Sequence, residues 1–344
     1  MITIYDIARV TGYSPTTVSK VFNGYTDVSQ KTRRIILDTA AELGYVPNAN
    51  ARSLTMKRSW TIGMLFVEPT GTGIRHPYFA GVIEGFKKVA TSLGYDLIFI
   101  SKDIGGRPSG YLEHCKIRGV DGVVVILPDH SDPYFHELMD SSFPMIMLDY
   151  DTDRASTVSS DNTEGSITAV EYLYSLGHRR IAHISGGMST FAGARRNLGY
   201  KQALAKLGLT LDPAYIVEGI EGDYTVDSGY YAMRKLFELK DWPTGIFAAG
   251  DNLAVGAMQA IKEKGLSVPE DFSLIGFDDI EMAKYLTPAL TTIRQDTYLL
   301  GKTAAEMLIS SIVNADAKGG AQDVILPTEL VIRESCRRLT EDED

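Results

Sequence analysis

The 344-residue sequence contains only two cysteines, Cys115 and Cys336, and two tryptophans. Two cysteines give neither a disulfide framework nor the spaced Cys and His ligands of a zinc site. No run of about eighteen apolar residues occurs, so we expect no membrane-spanning helix. The N-terminus already carries Asp6 and lacks a long apolar stretch, which argues against a signal peptide. We therefore expect a cytoplasmic protein with reduced thiols, without a metal, cofactor or membrane partner.

Charge is distributed unevenly along the chain. The formal net charge is −10, yet residues 1–60 carry eight Lys and Arg against four Asp and Glu, which puts this segment at +4 and the remainder at −14. A basic head on an acidic body suggests that only the head meets a polyanion. A chance excess of four charges is the alternative, and charge alone leaves both open. The length predicts two or three globular domains.

The first sixty residues carry the signals of three short helices. Polar residues that favour helix N-caps stand before each of them: Thr3, Ser14 and Ser29. Pro15 fits the first turn of the second helix, where its missing N–H is harmless. Apolar residues recur at helical spacing in the second and third helices: Val18, Val21, Phe22, Ile35, Ile36 and Ala40. Because only a few residues separate the first two helices, we predict a tight helix-turn-helix.

The second helix has a polar face as well as an apolar one. Thr16, Thr17 and Lys20 share that face. In a helix-turn-helix the second helix lies in the DNA major groove, where hydroxyl and ammonium groups contact base edges. We therefore predict these three residues as base contacts, and Arg33 and Arg34 of the third helix as phosphate contacts. A solvated helix face is the alternative.

The segment "TIYDIARVTGYSPTTVSKVFNG", followed by "VSQKTRRIILDTAAELGYVPNANARSL", resembles the head of the lactose/galactose repressor family of bacterial transcription regulators. The resemblance implies that Thr16, Thr17 and Lys20 read bases, and that Pro15 occupies a further contact position without a donor. It also implies a hinge helix that pairs with its dimer mate and inserts Leu54 into the minor groove, as kinking wedges do. Without the resemblance, Leu54 would be expected to pack on the body.

Apolar runs alternate with amphipathic helical segments from residue 59 onward. The runs cover residues 61–67, 96–100, 122–127, 144–149, 180–185, 244–249 and 272–277. Near-continuous apolar strands joined by helices predict parallel sheets and an α/β fold. The number of strands predicts two lobes that divide near residue 160, with Asp296–Val313 returning as a helix to the first lobe. The expected domains are a helix-turn-helix at 1–46, a hinge at 47–58 and a body at 59–344, whose lobes are 59–160 plus 291–323 and 161–290 plus 324–340.

Chemically informative residues follow the predicted strands, where open α/β folds bind ligands. They are His76, Tyr78, Phe79, Asp149, Arg196, Tyr224, Asp278 and Asp279. Carboxylates and arginine can bond sugar hydroxyls, and aromatic rings can cover the apolar face of a sugar. Helix capping is the alternative for one of the two adjacent aspartates.

The body resembles the core of the same family, which is similar to periplasmic sugar-binding proteins, at "GHRRIAHISG", "RRNLGYKQAL" and "DNLAVGAMQAIKEKGLSVPEDFSLIGFDDI". The resemblance implies effector contacts at five positions: Phe79, Asp149, Arg196, Tyr224 and Asp278. Two positions depart from the family pattern, because Ala192 and Gly250 stand where several members carry a polar side chain. These departures weaken the transfer of any particular effector.

The expected fold is an all-α helix-turn-helix head joined by a hinge to an α/β two-lobe body like a periplasmic binding protein. We expect a sequence-specific repressor that binds pseudo-palindromic double-stranded operator DNA as a homodimer. A sugar or sugar phosphate between the lobes would control it allosterically. A purine or a phosphorylated protein co-regulator is the alternative controlling partner. A sugar-binding transport protein or an α/β enzyme is the weaker alternative. The helix-turn-helix and the expected lack of a signal peptide argue against the first, and we find no catalytic constellation stronger than the pair Asp149 and Asp278 for the second.

Overall fold

A computed structural model describes residues 2–46, 58–67, 73–220, 223–314 and 320–340. Its head consists of three helices: α1 (Ile4–Thr11), α2 (Pro15–Phe22) and α3 (Gln30–Glu42). Ser14 and Ser29 cap α2 and α3, each accepting a hydrogen bond from the backbone N–H three residues further on. At α1, the Asp6 carboxylate accepts a hydrogen bond from the backbone N–H of Thr3 at 3.0 Å. The predicted helix-turn-helix is confirmed, as are the caps at Ser14 and Ser29.

The core of the head is small. Its buried side chains come from all three helices: Ile7, Ala8, Val18, Val21, Ile36 and Ala40. The apolar stripe predicted on α3 is narrower than expected, because Ile35 is 38% exposed. A unit that buries so little apolar surface is only marginally stable on its own.

The body is built from short strands and longer helices. The strands are β1 (Thr61–Phe66), β2 (Asp96–Ile100), β3 (Asp103–Ile104), β4 (Arg107–Pro108), β5 (Gly122–Ile126), β6 (Met145–Leu148), β7 (Ser156–Ser160), β8 (Ile181–Ser185), β9 (Ile216–Glu218), β10 (Gly245–Ala248), β11 (Ser273–Asp278), β12 (Thr291–Arg294), β13 (Asp323–Leu326) and β14 (Glu329–Val331). The helices are α4 (Pro77–Ser92), α5 (Tyr111–Arg118), α6 (Pro133–Met139), α7 (Asn162–Ser175), α8 (Phe191–Lys206), α9 (Val226–Leu236), α10 (Asp251–Glu263) and α11 (Thr297–Val313). All seven predicted apolar runs form strands.

Two six-stranded sheets organise these elements into two lobes. The first sheet has the order β13-β7-β6-β5-β1-β2, and every neighbouring pair is parallel. The second has the order β14-β12-β11-β10-β8-β9 and is parallel except at β14. Strands β5, β8 and β10 are buried along their whole length, as expected when helices cover both faces of a sheet. Among the described helices, none combines the length and apolar character needed to cross a bilayer.

Two of the expected lobe boundaries differ from the structure. Strand β12 was expected in the first lobe, but it pairs with β11 and β14 in the second sheet. Conversely, β13 pairs with β7 in the first sheet, so residues 324–326 belong to the first lobe. The chain crosses at Gln295 and Asp296, after which α11 packs on α4 as predicted. A sequence pattern indicates a strand but not the strand that it pairs with. The lobe boundaries at β12 and β13 were therefore misplaced by a few residues.

Candidate functional sites

Helix α2 presents the predicted polar face away from the core of the head. Thr16 is exposed, and Thr17 and Lys20 are half-buried. The Thr17 hydroxyl lies 2.9 Å from the Ser14 hydroxyl that caps the helix, so its position is fixed by the cap. Both threonines lie in the first turn, which is the part of a docked recognition helix that reaches base edges.

Two of the predicted cations remain on the surface of the head. Lys20 forms an ion pair with Asp27, which lies in the loop after α2. The Arg34 side chain is 85% exposed and lies 3.7 Å from Asp38, one helical turn further on. Arg34 therefore keeps a guanidinium that can reach a phosphate.

Arg33 is engaged within the head itself. Its guanidinium donates hydrogen bonds to the backbone carbonyl of Val21, at 3.2 Å, and to that of Tyr25. These carbonyls lie at the end of α2 and in the following loop, so Arg33 ties α3 to the recognition helix. A structural contact therefore accounts for this side chain in the free head, although it was predicted as a phosphate contact.

The predicted wedge, Leu54, lies outside the described residues. Arg58, the first described residue after this segment, donates hydrogen bonds to two backbone carbonyl oxygens in the last turn of α11, at 3.1 and 3.3 Å. The Asp121 carboxylate accepts hydrogen bonds from the backbone N–H groups of Ser59, at 2.8 Å, and Trp60, at 2.9 Å. These contacts fasten the start of the body to the first lobe.

A cavity of about 480 Å³ lies between the lobes, and residues at the carboxyl ends of strands line it. All five predicted effector contacts are among its lining residues: Phe79, Asp149, Arg196, Tyr224 and Asp278. Ligand pockets commonly have volumes of roughly 300–1,000 Å³. The cavity can therefore hold a small molecule with one or two rings.

Asp149 follows β6 in the first lobe with a φ of 49°, a region that non-glycine residues rarely adopt. Tyr78 donates a hydrogen bond to one of its carboxylate oxygens. The other oxygen, Oδ1, is buried and accepts no hydrogen bond from the described residues. Burial raises the pKa of Asp149 to about 6, against the opposing effects of the Tyr78 hydrogen bond and the Arg196 charge. A buried carboxylate with an unused acceptor is suited to a ligand hydroxyl.

Arg196 projects from α8 in the second lobe and is only 4% exposed. Its Nε donates to Asn162 Oδ1 at 2.8 Å, and one terminal nitrogen donates to the Ala249 carbonyl. The same nitrogen lies 3.5 Å from Asp278 Oδ1. The guanidinium carbon lies 3.7 Å from the centroid of the Phe277 ring, which adds a cation–π contact. These contacts fix the orientation of the guanidinium before any ligand binds.

Asp278 ends β11 with a φ of 118°. Its Oδ1 accepts a hydrogen bond from Gln295 Nε2 at 2.6 Å. Burial raises the pKa of Asp278, while the positive charge of Arg196 lowers it. Asp251 lies fully buried behind it, and burial together with the Asp278 charge raises the Asp251 pKa strongly. The second lobe therefore holds two carboxylates close together, with one guanidinium beside the cavity.

Tyr224 occupies space that two glycines leave open. A Cβ on Gly186 would lie 2.1 Å from the Tyr224 ring, and a Cβ on Gly250 would lie 2.9 Å from it. Gly250 departs from the family pattern for a steric reason, because a side chain at position 250 would clash with the Tyr224 ring. On the first lobe, the Phe79 ring meets the Phe66 ring edge-on with centroids 5.0 Å apart. Phe79 from the first lobe and Tyr224 from the second are therefore among the aromatic side chains that line the cavity.

Asp279 is neither a lining residue of the cavity nor a helix cap. Its carboxylate accepts hydrogen bonds from Arg294 at 2.7 Å and from Arg333 at 2.6 Å. It thereby holds the end of β11 beside Asp278. No sequence signal pointed to Asn162 and Gln295, because their uncharged side chains belong to no motif. Within the described ranges, no group of three or more His, Cys, Asp or Glu is placed to hold a metal ion.

Comparison with known proteins identifies both parts of the chain. Residues 3–48 match the bacterial regulatory proteins of the lacI family, and residues 170–336 match a periplasmic binding protein-like domain. The probable HTH-type transcriptional repressor ExuR of Bacillus subtilis is 35% identical over 99% of this chain and 100% of its own length. The chain belongs to the lacI family of bacterial regulatory proteins. The family and fold class expected from the sequence are confirmed, as is the general function of transcription regulation.

Other relatives agree with this family. The HTH-type transcriptional repressor PurR of Yersinia enterocolitica is 38% identical over 91% of each chain. The lac repressor dimer bound to operator and the anti-inducer ONPF has a TM-score of 0.80 and 30% identity, covering 98% of this chain and 99% of its own. The complex of the transcriptional regulator CelR with cellobiose has a TM-score of 0.70 and 29% identity, covering 97% of this chain and 100% of its own.

Proposed function

We propose that this lacI-family protein is a homodimeric repressor that releases or binds operator DNA in response to a polyhydroxylated small molecule between its lobes. The observation that carries the effector part is the buried Asp149 Oδ1, which accepts no hydrogen bond from the described residues and belongs to a carboxylate lining the cavity. An acceptor left unbonded in a buried place costs free energy that a ligand hydroxyl can recover.

The DNA-binding part rests on α2. Thr16 and Lys20 supply a hydroxyl and an ammonium group to base edges, and Arg34 supplies a guanidinium to phosphates. One recognition helix covers half a site, so a pseudo-palindromic operator requires two copies of the chain. The lac repressor relative is described as a dimer on its operator, which supports the same assembly here. Leu54 is proposed as the minor-groove wedge of the hinge.

The lining of the cavity supports a sugar as the effector. Asp149 and Asp278 accept hydrogen bonds, Arg196 donates them, and the Phe79 and Tyr224 rings can cover the apolar face of a pyranose. Two buried carboxylates beside one guanidinium disfavour a further dianion, so we favour a neutral sugar over a sugar phosphate. The cellobiose complex of CelR is consistent with this class of ligand. We propose binding without turnover, which incubation of the protein with the bound sugar would test.

The first experiment is a thermal-shift panel of neutral sugars, sugar acids, sugar phosphates and nucleobases on the full-length chain. A ligand at a hundredfold its dissociation constant stabilises the folded state by about 2.7 kcal/mol. We expect a neutral sugar to raise the melting temperature, and Arg196→Ala and Asp278→Ala to abolish the shift. Lys201→Ala is the matched control, because Lys201 is an exposed cation on the same helix as Arg196.

The regulatory part is tested on duplex DNA selected from a randomised library. Saturation with the ligand should change the affinity for the selected duplex, because an allosteric effector binds the two functional states unequally. Unchanged affinity with every ligand found would contradict effector control. A response to nucleobases alone would replace the sugar by a purine. No response across the panel would favour a protein co-regulator.

A further inference from the structure

The Asp149 carboxylate lines the cavity without a cationic partner of its own. Its Oδ2 accepts a hydrogen bond from the uncharged Tyr78 hydroxyl, and its buried Oδ1 accepts none from the described residues. Among those residues, Arg196 is the one cation that acts on the pKa of Asp149. Buried charges in proteins are normally paired with an opposite charge or bound to a metal. This carboxylate therefore holds a charge that a ligand can neutralise.

Arg196 does not supply the missing positive charge. Its guanidinium lies 3.5 Å from Asp278 Oδ1, and the two side chains are 4% and 5% exposed. The positive charge of Arg196 lowers the pKa of Asp149, whereas the negative charge of Asp278 raises it. Because these two charges act in opposite directions, they largely cancel at Asp149. Asp251, fully buried behind Asp278, can only add to the negative charge. One negative charge is therefore in excess around the ligand.

The rest of the cavity lining has the same sign. It contains two further carboxylates, Asp129 and Asp223, and among the described residues no second arginine and no lysine. The lining thus holds four carboxylates against one guanidinium and the imidazoles of His76 and His130, so it is negative even with both imidazoles protonated. Hydrogen bonds from Ser131 lower the pKa of Asp129, which keeps that carboxylate ionised. A cleft lined by one sign of charge attracts ligands of the opposite sign.

We propose that the effector is a hexosamine, whose protonated amino group contacts Asp149, rather than a neutral hexose. An ammonium group brings donors for Oδ1 together with the missing charge, and a charge-assisted hydrogen bond is roughly twice as strong as a neutral one. The rings of Tyr78 and Phe79 line the cavity from the same lobe, and ring faces also attract an ammonium group. The inference rests on the proposed function, a polyhydroxylated effector between the lobes, and adds one substituent to it.

The test compares hexoses with their amino and N-acetylamino analogues on the full-length protein, by titration calorimetry at about pH 7, where a sugar amine is mostly protonated. The series are those of glucose, galactose and mannose. In the series that fits the cavity, the hexosamine should bind about tenfold more tightly than the hexose. The N-acetylamino sugar carries a substituent at the same carbon but no charge, and should bind no more tightly than the hexose.

Asp149→Asn separates the charge of this side chain from its shape. The amide oxygen can still accept a hydroxyl, so hexose affinity should change little, whereas the preference for the hexosamine should disappear. Asp129→Asn is the matched control, because it removes an exposed carboxylate from the lining of the same lobe. It should keep the preference to within about twofold, since salt screens exposed charges. An equal loss in both variants would show that the overall charge selects the amine and would overturn the inference.

The failure of the inference is distinguishable from failure of the proposed function. If neutral hexoses or sugar acids bind as tightly as hexosamines or more tightly, a sugar effector stands and the ammonium contact is wrong. If no sugar of any kind binds, the sugar effector fails and the inference fails with it, while the selected duplex still tests the DNA-binding part.

Discussion

Replacing Asp149 by asparagine removes a buried charge while nearly keeping the shape of the side chain. Burial raises the pKa of this carboxyl from 3.8 to about 6, so the folded state binds its proton more tightly than the unfolded chain does. Above pH 6 the folded state must hold a charge that its surroundings disfavour. With about 1.36 kcal/mol per pKa unit, the destabilisation is about 3 kcal/mol at pH 7.5, about half of that at pH 5, and lost below the unfolded pKa.

The Asp149→Asn variant should therefore have a larger free energy of unfolding than the wild type, with a gain at pH 7.5 about twice that at pH 5. The amide oxygen can still accept the hydrogen bond from Tyr78, so that contact is retained. The assay is urea unfolding followed by fluorescence of Trp60, whose ring packs against Tyr95 in the first lobe with centroids 5.2 Å apart. A Trp242→Phe background removes the tryptophan that belongs to the second lobe.

The control is Asp153→Asn, which removes an exposed charge from the same loop and should change the stability little at either pH. A less stable Asp149→Asn protein would refute the reasoning, because it would show that the charged form is stabilised by its surroundings. An equal gain at both pH values would also refute it, since a titrating carboxyl must give a gain that depends on pH.

Three further variants test separate parts of the structure. Arg33→Ala should destabilise the head by about 2 kcal/mol through the loss of its bonds to two carbonyls, measured by hydrogen exchange of head amides, whereas Arg34→Ala should not. Gly186→Ala places a methyl group where the Tyr224 ring lies, and should abolish the ligand-induced thermal shift while the protein still folds. Arg58→Gln weakens the bonds to the last turn of α11, and should lower affinity for the selected duplex without changing ligand affinity.

Local signals made the head and the sheet cores predictable. The caps at Ser14 and Ser29 and the proline at position 15 define helix starts from neighbouring residues alone. The buried strands are apolar on both faces, because helices cover both faces of a parallel sheet. A short window of sequence was therefore sufficient to predict these helices and strands.

The missed elements depend on contacts between residues distant in sequence. Strand β7 is rich in serine and threonine yet mostly buried, because its hydroxyls find partners such as Asp323, which accepts a hydrogen bond from Thr157 at 2.7 Å. The paired position of β12 likewise depends on β11 and β14. No local pattern reports such partners, so β7 was not among the predicted strands and two lobe boundaries were misplaced.

In the candidate cleft, too, some residues could be predicted from the local sequence and others could not. Charged residues at strand ends were found, because their chemistry stands out against the apolar strands. Gly186 and Gln295 were not found, since one acts by lacking a side chain and the other by a single hydrogen bond to Asp278. Arg33 was predicted as a phosphate contact from its charge, and its hydrogen bonds to carbonyls at and after the end of α2 could not be read from the local sequence.

Helix α11 connects the cleft to Arg58, the last residue of the expected hinge segment. It begins at Thr297, two residues after Gln295, which donates a hydrogen bond to Asp278 at 2.6 Å, and its last carbonyls accept hydrogen bonds from Arg58. Seventeen residues of helix extend for about 25 Å and do not stretch easily. A ligand that moves Asp278 relative to Gln295 must therefore move the helix, or break one of its end contacts. Such a displacement becomes regulation only where the ligand prefers one position of the helix over the other.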